Sequence, residues 1–170
     1  EHDAYSQSIL ISNNLDLIKK VNINLKKQLK QLPKAKIASS SLKNYGISIF
    51  AKNKNKIINI INEIAPEHLE LHVKNYKNFL KGIKNAGSIF LGKYSPEAMG
   101  DYLAGPNHVL PTSGSAKFSS GLSVNDFLKR HSLIKITKRG IERLGSSVIN
   151  LAKHENLDGH ANSVKLRLKR

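Results

Sequence analysis

The chain has 170 residues, 39% of them hydrophobic, and carries 28 Lys and Arg against 12 Asp and Glu, a formal net charge of +16. It has no cysteine, so disulfides and thiolate metal sites are excluded, and any metal must be held by His, Asp, Glu or amide oxygens. No apolar run reaches the roughly 18 residues of a membrane span, and no leader is visible, which points to a cytoplasmic protein. The chain opens on Glu1 rather than Met, as expected of a cut or incomplete sequence. The charge raises the question of nucleic acid. Only five of the basic residues are arginines, however, and the lysines run from Lys19 to Lys169 without clustering, mixed with Asn and Ile. A nucleic-acid site needs concentrated charge with Arg forks or stacking aromatics, so the excess reads as generic surface charge with no nucleic-acid partner.

Ser8 to Ser12 reads as a short buried strand, and Asn13 or Asn14 can cap a helix after it. Leu15, Ile18, Val21, Leu25, Leu29 and Leu32 recur at three- and four-residue steps, an amphipathic helix stopped by Pro33. Gly46 to Phe50 is a second strand, and 53–64 a helix with Ile57, Ile60, Ile61 and Ile64 on one face. His68 to Val73 reads as a strand, Tyr76 to Lys84 as a helix and Gly87 to Leu91 as a strand. This alternation over residues 7–92 predicts an α/β fold: one mainly parallel sheet of at least three strands flanked by helices, an incomplete Rossmann-like arrangement. Pro96 to Leu103 can form a short helix, 105–120 is a Gly-, Pro- and Ser-rich loop, and from Val124 the pattern is helical. The expected division is a sheet unit over 1–120 that carries the site and a helical tail over 121–170.

Seven histidines are the main chemical resource. His131 and His154, among charged neighbours in helical stretches, read as solvated surface, and His72, on the face of His68 but farther along the strand, as structural. Glu67 and His68 follow Pro66, which stops the preceding helix, and form an adjacent carboxylate–imidazole pair suited to proton transfer. Asp101, in Gly100-Asp101-Tyr102 beyond a strand end, can bind a divalent metal or cap a helix. His108 lies in a loop fixed by Pro106 and Pro111, and His160 follows Asp158-Gly159, five residues after Glu155. His2, Asp101 and His160 offer donors that zinc accepts, but spacing alone does not bring them together.

Five blocks carry a resemblance to a known family: Glu1-His2-Asp3 with Ser6-Gln7; Ala65-Pro66-Glu67-His68-Leu69; Ala86 to Gly92 followed by Tyr94-Ser95-Pro96-Glu97; Gly100-Asp101-Tyr102 with Gly105-Pro106-Asn107-His108-Val109-Leu110-Pro111-Thr112; and Leu157 to Val164. In this order they resemble the C-terminal part of the histidinol dehydrogenases, over essentially the whole chain. The resemblance implies oxidation of L-histidinol to L-histidine through an unreleased aldehyde, with Zn2+ and NAD as cofactors. It implies His2, Asp101 and His160 as zinc ligands, with a Gln ligand at a position before Glu1, and Glu67 and His68 as the catalytic acid/base pair. His2, His68, Asp101, His108, Glu155 and His160 would contact substrate, Glu155 and His160 supplied by the exchanged tail of a homodimer partner. No residue of this chain is expected to bind NAD, whose segment lies upstream in the family; no Gly-x-Gly-x-x-Gly turn replaces it here. The alternatives are an inactive truncated remnant of the same family and a basic nucleic-acid module. The resemblance also predicts that His2, His68, Asp101 and His108 gather at the carboxyl end of the strands.

Overall fold

The computed structural model describes residues 1–169. They divide into two compact units, Glu1–Asp126 and a second from Phe127 onward. The first unit is α/β with parallel strands, and the second is helical.

Strand β1 (Ser8–Ser12) leads to α1 (Leu15–Leu29), whose N-terminus is closed by the Asn14 side chain accepting from the Leu17 amide. A second helix, α2 (Ala35–Tyr45), precedes β2 (Gly46–Phe50), which pairs parallel with β1 in the register Ser8↔Gly46 to Ser12↔Phe50. Helix α3 (Lys54–Ile64), capped by Asn53, leads to β3 (His68–Leu71); then come α4 (Tyr76–Leu80) and β4 (Ser88–Leu91), parallel to β3 with His68 beside Ser88. Helix α5 (Glu97–Tyr102) follows, and after a long loop with two short 3-10 turns come α6 (Lys138–His154) and α7 (Asp158–Leu168).

Several sequence expectations are corrected here. The strands form two separate parallel pairs, β1–β2 and β3–β4, rather than one sheet of three or more. Hydrophobic alternation identifies strands, but their neighbours are set by tertiary packing, which a local period does not encode. Helix α2 escaped the sequence reading because its buried positions are the small residues Ala38 and Ser41, which leave no stripe of large apolar side chains. Helix α1 ends at Leu29, one turn before Pro33. The buried stripe of α3 is centred on Ile58 and Ile61 rather than on Ile57, Ile60 and Ile64. Strand β3 stops at Leu71, so His72 lies beyond it, and α4 stops at Leu80. Between Phe127 and Lys138 there is no regular element, so His131 is not helical. No helix among the described residues is long and apolar enough to cross a membrane.

Two chain reversals deliver residues of interest. Ala65 ends α3 in the left-handed region at φ 49, fully buried, with its amide donating to the Ile61 carbonyl at 2.8 Å. Such a residue is strained by about 1–2 kcal/mol when it is not glycine, and only a small side chain fits there. Pro66 then forbids further helix and sends the chain into Glu67 and His68. In the second unit α6 closes with a Schellman motif: the Asn156 amide donates to the Lys153 carbonyl at 3.0 Å and the Leu157 amide to the Ala152 carbonyl at 2.8 Å, with Asn156 at φ 59. Helix α7 then packs back on α6, the Leu168 side chain lying where a Cβ on Gly145 would stand.

Gly87 is a close approach of two strands. A Cβ there would lie 2.5 Å from the Glu67 carbonyl oxygen and 3.1 Å from Pro111 Cδ. Gly87→Ala is therefore expected to push β4 away from the Glu67–His68 segment and lower stability by about 1–3 kcal/mol, measured by denaturant unfolding. Unchanged stability would show that this approach is not constrained.

Candidate active site

His68 opens β3 and Glu70 lies two residues on, so both side chains project from the same face of the strand. Their partners across the pair are Ser88 and Phe90. Helix α5 lies over this face. Gly100 sits against the Phe90 ring, where a Cβ would come within 2.6 Å of Cε1, so only glycine lets the helix approach this closely. The loop before α5 is fixed by the Gly92 amide donating to the Leu71 carbonyl at 3.1 Å, by Gly92 at φ 82, and by the Ser95 hydroxyl donating to the Leu91 carbonyl at 2.9 Å.

This packing brings Glu97 and Asp101, one helical turn apart on α5, against the imidazole. Nε2 of His68 lies 3.7 Å from Glu97 Oε1 and 3.7 Å from Asp101 Oδ1. Both distances exceed hydrogen-bond length, and Nε2 is buried with no hydrogen-bond partner. The ring itself packs beside Phe90 at a centroid distance of 6.0 Å. The three ligand-type atoms lie within 4.8 Å of one another. A buried unpartnered nitrogen carries a desolvation cost, and one facing two carboxylates has the chemistry of a group that meets a proton, a metal or a substrate there. The Glu97 carboxyl is pushed above its ordinary range, first by burial, then by its hydrogen bond to Asp101 and the repulsion of that charge; His68 and His2 oppose the shift. A cation between the two carboxylates would remove their mutual repulsion.

The cavity over this cluster has a volume of about 340 Å³ and is lined by His68, Phe90, Tyr94, Asp101, Asn107 and His108 among others. His108 is presented by a latched loop. The Asn107 side chain accepts from the Val109 amide at 2.9 Å and donates to the Leu122 carbonyl, while the Leu122 amide donates to the Val109 carbonyl at 2.9 Å. A volume of this size suits a small polar metabolite.

Of the residues singled out from the sequence, His68, Asp101 and His108 share this cavity, and His2 is close enough for its charge to act on Glu97. Glu67 immediately precedes β3 and is half-buried, with its carbonyl receiving the Ser88 amide at 2.8 Å, but it does not line the cavity. Glu155 caps the C-terminus of α6 and His160 lies in the first turn of α7, both exposed and both in the second unit. The expectation of a site at the carboxyl end of the strands is corrected. His68 is the first residue of β3, and α5 runs back from the carboxyl end of β4 so that Asp101 reaches it. Glu97 was not singled out from the sequence; its four-residue spacing from Asp101 within a short helix was the available signal.

The family profile described as histidinol dehydrogenase matches residues 1–168. A histidinol dehydrogenase of Pelagibacter ubique is 58% identical over 170 residues, spanning 100% of this chain and 40% of that protein. One from Caldanaerobacter subterraneus subsp. tengcongensis is 49% identical over 167 residues, 98% of this chain and 39% of its own length. The crystal structure of histidinol dehydrogenase from Elizabethkingia anophelis superimposes with a TM-score of 0.89 at 39% identity, covering 99% of this chain and 39% of that one. The chain thus spans about 40% of the length of the relatives it matches.

Proposed function

The chain belongs to the histidinol dehydrogenase family, and from that premise we propose that it carries the proton-transfer and part of the metal-binding machinery for oxidising L-histidinol to L-histidine through an aldehyde. The observation that carries the proposal is the buried, unpartnered Nε2 of His68, facing Asp101 in the cavity that His108 also lines.

The crowded His68, Glu97 and Asp101 cluster has the donor chemistry of a cation site, and Asp101 with His2 and the partner subunit's His160 would be the zinc ligands. His2, Asp101 and His160 supply imidazole nitrogens and a carboxylate oxygen, all of them groups that zinc accepts, and the crowding of Glu97 with Asp101 favours a cation. Bound zinc would fix the substrate's imidazole and amino nitrogens, and NAD, held by residues outside this chain, would take up the hydrides. His68, which lines the cavity, takes the proton of the substrate hydroxyl. As water adds to the aldehyde, Glu67, one residue before, takes the proton of that water and His68 returns its own proton to the aldehyde oxygen; neutral again, His68 then receives the proton of the resulting hydrate. His108 contacts the substrate from the loop side. Glu155 and His160 reach the site of a partner subunit through exchange of the helical 121–170 region, so the working form is a cytoplasmic homodimer. The arrangement of 1–120 as sheet unit and 121–170 as exchanged tail belongs to the same proposal, as does the description of the strands as part of a larger Rossmann-like sheet.

Complementation tests this reading. The complete gene that contains this chain is expected to restore growth without histidine to a strain lacking histidinol dehydrogenase. A well-expressed protein that fails to do so would count against the reading.

A further inference from the structure

Helix α5 is only six residues long (Glu97–Tyr102), none of its residues is buried, and its close packing on the strands is the contact of Gly100 with the Phe90 ring. Yet it carries both carboxylates that face His68. Beyond its preceding loop, one side chain ties it to the strand. Glu70, on the same face of β3 as His68, accepts the backbone amide of Glu97 at Oε1 over 2.8 Å. Its other oxygen, Oε2, meets His72 Nε2 at 2.7 Å, just beyond the strand end. With both oxygens engaged, the carboxylate is held in one orientation. The helix is thereby fixed at its first residue to a strand position two residues from His68, and Asp101 falls one turn later, level with the imidazole.

We infer that Glu70 is a positioning residue: it sets the distance between α5 and β3, and so places Asp101 and Glu97 against His68 for metal binding. His72 acts through Glu70 by orienting its carboxylate. The inference rests on the reading of Asp101 as a zinc ligand. What positions the helix is an acceptor oxygen at the reach of a glutamate side chain, not negative charge as such, because the bond is made to a backbone amide.

The test uses the complete zinc-loaded gene product and its zinc affinity by chelator competition, with three substitutions. Glu70→Ala is expected to weaken zinc binding about tenfold, the lower end of what loss of a supporting contact does to a metal site. Glu70→Asp keeps the charge but falls a methylene short of the Glu97 amide, and should weaken zinc binding as Ala does. Glu70→Gln keeps an oxygen at the right reach and should restore affinity close to that of the unsubstituted protein. Amide hydrogen exchange over Glu97–Tyr102 in the metal-free protein should rank the variants the same way, even where one substitution lowers overall stability. Unchanged affinity in Glu70→Ala would overturn the inference, as would rescue by Asp but not by Gln, which would mean that long-range charge is what matters. Failure of the unsubstituted protein to bind zinc at all would instead remove the metal reading on which the inference rests, and is seen before any variant is made.

Discussion

In the complete gene product, His68→Asn is expected to lower turnover of histidinol by a factor of about 10²–10⁴ while leaving zinc content unchanged. General acid–base groups contribute on that order, and the other imidazole that lines the cavity, His108, is proposed to contact substrate from the loop side rather than to act as the base. Asp101 and Glu97 are carboxylates held 3.7 Å from Nε2, so in the variant they face a neutral amide and keep their places on α5. Asn preserves the polarity of the position without a basic ring nitrogen, which separates loss of the base from loss of the fold. Glu67→Gln is expected to reduce turnover while retaining zinc as well. With Glu67 in its proposed role after the first oxidation, that variant should still carry out the first hydride transfer in a single-turnover experiment, whereas His68→Asn should be slow from the outset. The measurement is stopped-flow NADH absorbance with zinc determined on the same sample. Parallel loss of zinc in His68→Asn would identify His68 as a ligand, joined with Glu97 and Asp101, and would remove it from the role of base.

The opposite dissociation is expected at Asp101. Asp101→Ala should weaken zinc binding on the order of a hundredfold or more, given the size of zinc-site binding energies shared among a few ligands. Activity should then follow the metal. Excess zinc should restore turnover in part, because His68 and its packing against Phe90 are left in place. The substitution also leaves Glu97 without the neighbour whose hydrogen bond and charge help to raise its carboxyl. Asp101→Asn is the companion variant. It preserves the size of the side chain but lacks the anionic donor, and should lose zinc as well. Retention of full zinc affinity by both variants would place the metal elsewhere.

The elements near the site were legible in the sequence because their signals are local. Pro66 announced the end of α3, the β-branched and apolar runs announced β1, β2 and β4, and the Pro106–Pro111 loop announced a rigid segment around His108. His68, Asp101 and His108 could be named one by one from residue chemistry, and the family resemblance gave them roles. What the sequence could not supply is adjacency. The pairing of β1 only with β2 and β3 only with β4 depends on packing between distant segments. So does the return of α5 along β3, which puts the cluster at the start of that strand rather than at its carboxyl end. Glu70 and His72 illustrate the same limit. Glu70 carried no signal of its own and His72 read as a structural residue of the strand, and only the amide of Glu97, 2.8 Å from the carboxylate, gives the pair a role. Helix α2 was missed for a different reason: its buried face is made of Ala38 and Ser41, with the Ser41 hydroxyl donating to the Ser6 carbonyl at 2.6 Å, and a hydrophobic period does not register a face of that kind.

The most direct measurement is NADH formation from L-histidinol with zinc supplied, comparing the complete gene product with the 170-residue chain prepared alone. The complete protein is expected to form two NADH per histidinol consumed. The chain alone is expected to form none, because positioning of the hydride acceptor is worth about 7–11 kcal/mol in such reactions and the proposal places NAD on residues outside it. A zinc-loaded complete protein inert towards histidinol would contradict the account at its centre, and turnover by the 170-residue chain alone would show that the cofactor site lies within it.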